Sequence, residues 1–290
     1  EAESPPALVA AIERLALALR SLRHGDGGLV LFNGSKEEGS SLIELVLTQA
    51  GRSGRGPASL PDGGFQRLSA GRSLLIVDCG LPAPPGLDRL AHAGTLSFEF
   101  SVGRERLVVN CGASPAAGTE WRNAARATAA HSTLVVADTN SSELLPEGLG
   151  RRPSRVEVTR QGAEGAHWLE VSHDGWQKPF GAVHRRRLYL SESGDDLRGE
   201  DTVEAANPQP YTIRFHLHPT VKATLQQDGE AALLRLAGGG GWRLRADGAR
   251  MSLEESIYLG GAEVRRSEQV VLTGSQDGPQ HVKWAISKVG

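Results

Sequence analysis

Short apolar segments separated by turn residues recur along most of this chain, and that pattern constrains its fold more than any other feature. Strand-like segments follow one another from Ser73 to Ile286, and turn signals such as Asp62-Gly63-Gly64 and Asp277-Gly278-Pro279 separate them. Short strands in succession, without helical periodicity between them, are typical of antiparallel sheets packed face to face. The sequence therefore predicts a large antiparallel β-sandwich over residues 56–290.

The first 55 residues have a different pattern, which predicts one or two helices. Apolar residues recur there at spacings of three and four, as on one helical face: Leu8, Ile12, Leu15, Leu19 and Leu22, then Leu42, Ile43, Val46 and Leu47. We interpret residues 1–55 as the end of a helical domain, although helices that simply lie on the sandwich would also fit. The chain starts at Glu1 and its only methionine is Met251, so we expect a longer parent protein.

Composition narrows the classes of function. The chain has 32 basic and 34 acidic residues, which gives a formal net charge of −2 and disfavours a nucleic-acid partner. No apolar run approaches the roughly 18 residues that a membrane-spanning helix needs. Two cysteines, Cys79 and Cys111, are too few for a disulfide framework or a four-cysteine zinc site. Both free thiols and a single bridge fit the sequence.

Three blocks of polar residues at predicted strand ends carry the strongest functional signal. They are Arg89-Leu90-Ala91-His92-Ala93-Gly94-Thr95, Val108-Val109-Asn110-Cys111-Gly112 and Arg126-Ala127-Thr128-Ala129-Ala130-His131-Ser132-Thr133. In this order and spacing they resemble the carboxy-terminal domain of the heparinase II/III family of polysaccharide lyases. The resemblance extends over most of residues 26–290 and includes Phe32-Asn33-Gly34 and His184-Arg185-Arg186-Arg187-Leu188.

The resemblance implies an architecture, a reaction and partners. Members of the heparinase II/III family join an amino-terminal α/α toroid to a carboxy-terminal sandwich. They cleave uronate-containing acidic glycans by β-elimination between the two domains. The expected partners are therefore an acidic polysaccharide and a toroid of the same protein, and a homodimer is a further expectation. Family resemblance favours a periplasmic or secreted location, with the cytoplasm as the alternative.

The resemblance also implies a structural metal, zinc or calcium, held by His92, Asn110 and His131. Two histidines and one oxygen ligand at strand ends suit zinc. The family has an aspartate where this chain has Asn110, and a neutral amide is a weaker ligand because it does not offset the charge of the cation. The alternative is a hydrogen-bonded polar cluster, without metal, that ties the strand ends together.

The catalytic position departs further from the family pattern. The family's sandwich histidine corresponds to Leu90, which cannot transfer a proton, and Gly94 replaces an aspartate of the same block. No residue of this chain is therefore assigned as catalytic, and the isolated chain is expected to be inactive. Arg122 and Arg126 are predicted to bind uronate carboxylates, since guanidinium pairs with that group through two hydrogen bonds; the alternative is that they anchor a loop.

Two functions fit this sequence. The first is the carboxy-terminal domain of a heparinase-like lyase that acts on acidic glycans. The second is a non-catalytic module, carbohydrate-binding or structural, in which catalysis was lost together with the histidine at position 90.

Overall fold

A computed structural model describes residues 5–51, 54–114 and 117–290 of the chain. Within these ranges the α-helices are α1 (Pro6–Ser21), α2 (Ser40–Gln49), α3 (Gly118–Arg126) and α4 (Gln177–Phe180). Short 3-10 turns lie at Thr128–Ala130 and Gln227–Gly229. The strands are β1 (Ser59–Leu60), β2 (Phe65–Ala70), β3 (Ser73–Asp78), β4 (Phe98–Val102), β5 (Glu105–Val109), β6 (Leu134–Val136), β7 (Val156–Ala163), β8 (Ala166–Trp176), β9 (Ala182–Leu190), β10 (Asp196–Ala205), β11 (Tyr211–Leu217), β12 (Lys222–Gln226), β13 (Ala231–Arg235), β14 (Gly241–Asp247), β15 (Arg250–Tyr258), β16 (Arg265–Gly274) and β17 (His281–Val289).

These strands form two antiparallel sheets. The first has nine strands in the order β1-β2-β3-β4-β5-β11-β16-β15, with β6 pairing to β11 outside that row. The second has eight, in the order β12-β13-β14-β17-β10-β9-β8-β7. The predicted β-sandwich preceded by helices is confirmed, because the two sheets pack face to face and share one apolar core.

Aromatic side chains fill the middle of that core. The rings of Phe98 and Trp284 stack at 5.6 Å between centroids, and Phe215 meets Trp284 edge-on at 5.0 Å. Strand β9 shows how the sequence produces this packing, since its side chains alternate between buried and more exposed positions. Burial of large apolar groups in this way is the main favourable contribution to folding.

The outer face of the first sheet is covered as well. Val30 and Phe32, from the segment after α1, pack on Leu74 and Ile76 of β3. This second layer explains why β3 is a continuous apolar run, since both faces of the strand are buried.

Helices α1 and α2 pack on each other through Ala16, Ile43 and Leu47. Much of the predicted apolar face of α1 nevertheless remains exposed, with Leu8 at 52% and Leu15 at 68%. Among the described helices, none has the length and apolar character that crossing a bilayer requires.

Candidate functional site

The fold brings His92 and His131 together, although 39 residues separate them in sequence. His92 Nδ1 lies 3.1 Å from His131 Nε2, and the two rings meet edge-on. His131 Nδ1 lies 2.8 Å from the Ala127 carbonyl oxygen, which can only accept, so Nδ1 carries a proton. In the neutral pair His92 Nδ1–H therefore donates to His131 Nε2. We call this pair, with Asn33 and Asn110, the histidine site.

Both imidazoles of the histidine site are neutral at pH 7. Burial lowers the pKa of His92 well below its usual value, and the neighbouring His131 adds to that effect. Burial likewise lowers the pKa of His131 to about 4, against the opposing hydrogen bond to Ala127. These groups can exchange hydrogen bonds or ligate a metal, but they do not supply a cation to a substrate carboxylate.

A tight turn places the Asn33 side chain against the His92 backbone. Asn33 has a φ of 49° and Gly34 a φ of 79°, so the chain reverses through left-handed conformations that suit these two residues. Asn33 Oδ1 accepts a hydrogen bond from the His92 backbone N–H at 3.1 Å. A Cβ atom at Gly34 would lie 3.5 Å from His92 Nε2, so the glycine leaves open space beside the nitrogen that carries no proton.

Asn110 lies beside the histidine segment and uses its side chain to connect strand ends. Its Oδ1 accepts from the Ser132 backbone N–H at 2.9 Å, and its Nδ2 donates to Glu99 Oε1 at 3.3 Å. Asn110 is fully buried. These contacts favour the hydrogen-bonded cluster among the two alternatives that the sequence left open.

Glu99 also belongs to this cluster, although it was not among the predicted site residues. Its carboxylate accepts from the backbone N–H groups of Leu31 and Asn110, at 3.1 and 3.0 Å, and lies 2.8 Å from His24 Nε2. The alternation along β4 does place Glu99 on the polar face of that strand. Residues 24–32 then cover this face, so the carboxylate is buried rather than solvated.

The donor set for a metal is incomplete in the part of the chain that the structure describes. No group of three His, Cys, Asp or Glu side chains there could hold an ion. Of the two unprotonated imidazole nitrogens, that of His131 already accepts from His92, and the Asn110 oxygen is already bonded to a backbone N–H. Two imidazoles without an anionic ligand bind zinc weakly, so a metal at His92, Asn110 and His131 stays a prediction.

The predicted substrate-binding arginines have different surroundings. Arg126 is 4% exposed and donates to the carbonyl oxygens of Ala91, Leu145 and Gly148 at 3.0, 2.9 and 2.6 Å. This geometry favours the loop-anchoring alternative for Arg126. Arg122 lies exposed on α3, where its role in binding carboxylates stays a prediction. Leu90, which the family resemblance aligns with a histidine, is 65% exposed.

A buried charge cluster in the second sheet holds both histidine-bearing segments. Arg186 Nη1 donates to the carbonyl oxygens of Leu96 and Ser132 at 2.7 and 3.3 Å, and Arg186 Nε donates to Asp201 at 2.7 Å. Asp201 also accepts from Trp284 Nε1 at 2.8 Å. In the sequence, Arg186 is part of a run of basic residues. The alternation of side chains along β9 turns Arg186 inward, where it lies opposite Asp201.

The two cysteines, which the sequence left as free thiols or a bridge, are free and buried. Burial raises the pKa of the Cys111 thiol to about 12. The thiol is therefore protonated at neutral pH and is a poor nucleophile.

Comparison with known proteins decides the family. A family model described as "Heparinase II/III-like, C-terminal" matches residues 52–285. The chain belongs to this heparinase II/III-like family. Its fold matches a heparinase III gene product with a TM-score of 0.77 at 16% identity, over 98% of this chain and 47% of that one. It matches a heparan sulfate lyase from Pedobacter heparinus with a TM-score of 0.75 at 14% identity, over the same shares.

A curated relative has higher sequence identity than these structures. FtsZ-localized protein C of Caulobacter vibrioides is 33% identical over 308 aligned positions, and the alignment covers 98% of this chain and 53% of that protein. The chain thus spans about half the length of the relatives it matches.

Proposed function

We propose that this domain is a non-catalytic member of the heparinase-like family, which works by binding a partner and not by β-elimination. The main observation in support of this proposal concerns Leu90. An exposed leucine occupies the position where the family places the histidine that its sandwich contributes to the active site.

The remaining acid–base groups support this proposal. β-Elimination needs a base, an acid for the leaving oxygen and a donor or cation on the carboxylate. The imidazoles of the histidine site are buried, neutral and bonded to each other. Tyr211 and Tyr258 are buried, and burial raises the pKa of the Tyr258 phenol above its usual range. No described histidine or tyrosine of this set is poised to exchange a proton with a polysaccharide.

The partner that we propose is FtsZ. The relative named for its localization with FtsZ matches 98% of this chain at 33% identity, whereas the lyase structures match it at 11–16%. Such a partner favours the cytoplasmic alternative over export.

Co-sedimentation tests this partner. The chain is mixed with FtsZ from the same organism, with and without GTP, and the polymers are pelleted. We expect the chain in the pellet only when FtsZ polymerises. Equal amounts of chain in the supernatant under both conditions, at concentrations well above those of the cell, would contradict an FtsZ partner.

A second candidate function is one wall of an acidic-glycan lyase cleft in a longer protein. The fold match over 98% of this chain and the retained His92 and His131 favour it. The test is to express the longer parent with Leu90 and with Leu90→His, and to follow the ultraviolet absorbance of the unsaturated uronate product. Activity in the parent that rises in the variant supports the cleft. If the parent is inert on every uronate polymer, the result supports the non-catalytic binding function instead.

A further inference from the structure

Five arginines line a large cavity where α1 and α2 face β2 and the β7–β8 hairpin. Its volume is about 1130 Å³. The charged residues that line it are Arg20, Arg23, Arg55, Arg67, Arg160 and Glu44. We call it the arginine cavity. Its excess of positive charge contrasts with the net charge of −2 of the whole chain.

Only one of these arginines is neutralised by a carboxylate among the described residues. Arg23 Nη2 pairs with Glu44 at 2.5 Å. The other four have no ion pair in the described part of the chain. Like charges gathered beside a low-dielectric wall repel one another, so an arrangement of this kind is costly unless an anion balances it.

The arginine side chains are held in place by the backbone. Arg67 Nη1 donates to the carbonyl oxygens of Ser21 and Arg23 at 3.1 and 2.9 Å. Arg160 Nη1 donates to the Ala58 carbonyl oxygen at 2.7 Å and to Gln66 Oε1 at 3.2 Å. A guanidinium has five N–H donors, so each group anchored through one nitrogen keeps others for a ligand. The cavity is therefore preorganised, and ligand binding orders few side chains.

Arg20 gives an independent sign of a missing ligand. Its Nη1 is buried and has no hydrogen-bond partner among the described residues. A buried unpaired donor is unfavourable, and more so when it is charged. Burial lowers the pKa of Arg67, and the positive charge of Arg55 lowers it further. An anion in the cavity would accept from the unpaired Arg20 nitrogen and offset the repulsion between Arg67 and Arg55.

We infer that the arginine cavity binds a small polyanion that carries two or more phosphate or carboxylate groups. Guanidinium groups match both anions through paired hydrogen bonds. The volume lies just above the range of about 300–1,000 Å³ that is usual for small-molecule sites. This inference is independent of the FtsZ proposal, because it is argued from the lining of the cavity and not from similarity to a relative.

Isothermal titration of the chain with pyrophosphate, and separately with citrate, tests the inference at moderate ionic strength. The cavity variants are Arg20→Gln and Arg160→Gln, which leave the anchoring contacts of Arg67 at the end of α1 intact. The matched control is Arg245→Gln, which removes one exposed charge from β14. Thermal melts of all three establish that they fold.

We expect saturable binding of at least one anion, weakened about tenfold by each cavity variant and by less than about twofold by the control. The tighter of the two anions identifies phosphate or carboxylate as the natural group. Absence of binding at millimolar anion would overturn the inference. So would equal losses in the cavity variants and in Arg245→Gln, because binding would then reflect general surface charge.

Discussion

Replacing Asp201 by asparagine tests how the second sheet supports the histidine site. Asp201 is fully buried and accepts hydrogen bonds from Arg186, His184 and Trp284. The Arg186 guanidinium holds the pKa of the Asp201 carboxyl far below its usual range against the opposing effect of burial. Asparagine keeps the shape but removes the charge, so it leaves a buried guanidinium without its counter-ion.

The expected loss is large for a single isosteric change. Removing one partner of a buried ion pair costs about 3–5 kcal/mol, because the other charge stays buried and unpaired. At the low end of that range, about 3 kcal/mol corresponds to a fall of roughly 6–12 °C in Tm for a domain of this size. The matched control is Arg187→Met, next along β9, because the Arg187 side chain is 57% exposed and its ion pair with Glu170 is worth less than about 1 kcal/mol.

A double-mutant cycle of Asp201→Asn with Arg186→Met measures the coupling. We expect the double variant to be more stable than the sum of the single changes predicts, by about 1–3 kcal/mol, because it contains no unpaired charge. Hydrogen exchange should also quicken near Leu96 and Ser132, whose carbonyl oxygens Arg186 holds. A loss below about 1 kcal/mol in Asp201→Asn, or simple additivity, would refute this reasoning.

Three further predictions concern the histidine edge of the sandwich. Because burial lowers the pKa of His131 to about 4, the unfolded state takes up the proton first, so the contribution of His131 to stability is fully present above about pH 6.5 and falls by about 1.4 kcal/mol per pH unit towards pH 4. Urea melts of the chain and of His131→Gln at stepped pH check this, and a difference between the two that does not change with pH would contradict it. Arg126→Ala should lower the Tm by several degrees and Arg122→Ala by almost nothing, because only Arg126 is buried and donates hydrogen bonds to three carbonyl oxygens. Equal Tm values for the two variants would show that Arg126 does not anchor the loop. Zinc at equimolar concentration should raise the Tm little, because the Asn110 side chain is already bonded to Glu99 and to the Ser132 backbone. A strong response of the unchanged chain that His131→Ala abolishes would establish the metal site instead.

The sequence predicted the parts of this structure that depend on local pattern. Alternation along strands such as β9 and the continuous apolar run of β3 were enough to predict two packed sheets. The meeting of His92 with His131 followed from block spacing in the family resemblance, and periodicity alone would not have predicted it. For the strands, neighbouring residues carry the information, whereas for the histidine pair the family resemblance carries it.

What the sequence did not predict depends on contacts between distant segments. Glu99 looks like a solvent-facing strand residue until residues 24–32 cover it. Arg186 looks like part of a basic surface run until Asp201, 15 residues later, is placed opposite it in the sheet. Arg126 fits substrate binding equally well until three loop carbonyls converge on its guanidinium.

The most direct test of whether this domain is non-catalytic is the ultraviolet absorbance of the chain mixed with heparin, heparan sulfate or alginate. Elimination creates an unsaturated uronate that absorbs in the ultraviolet, so turnover is seen directly. Because the family resemblance places Leu90 where a histidine is expected, and both imidazoles of the histidine site are buried and neutral, we expect no increase in absorbance on any of the three polymers. Sustained product formation that His92→Ala or His131→Ala abolishes would contradict it, because the sandwich would then carry a complete catalytic site.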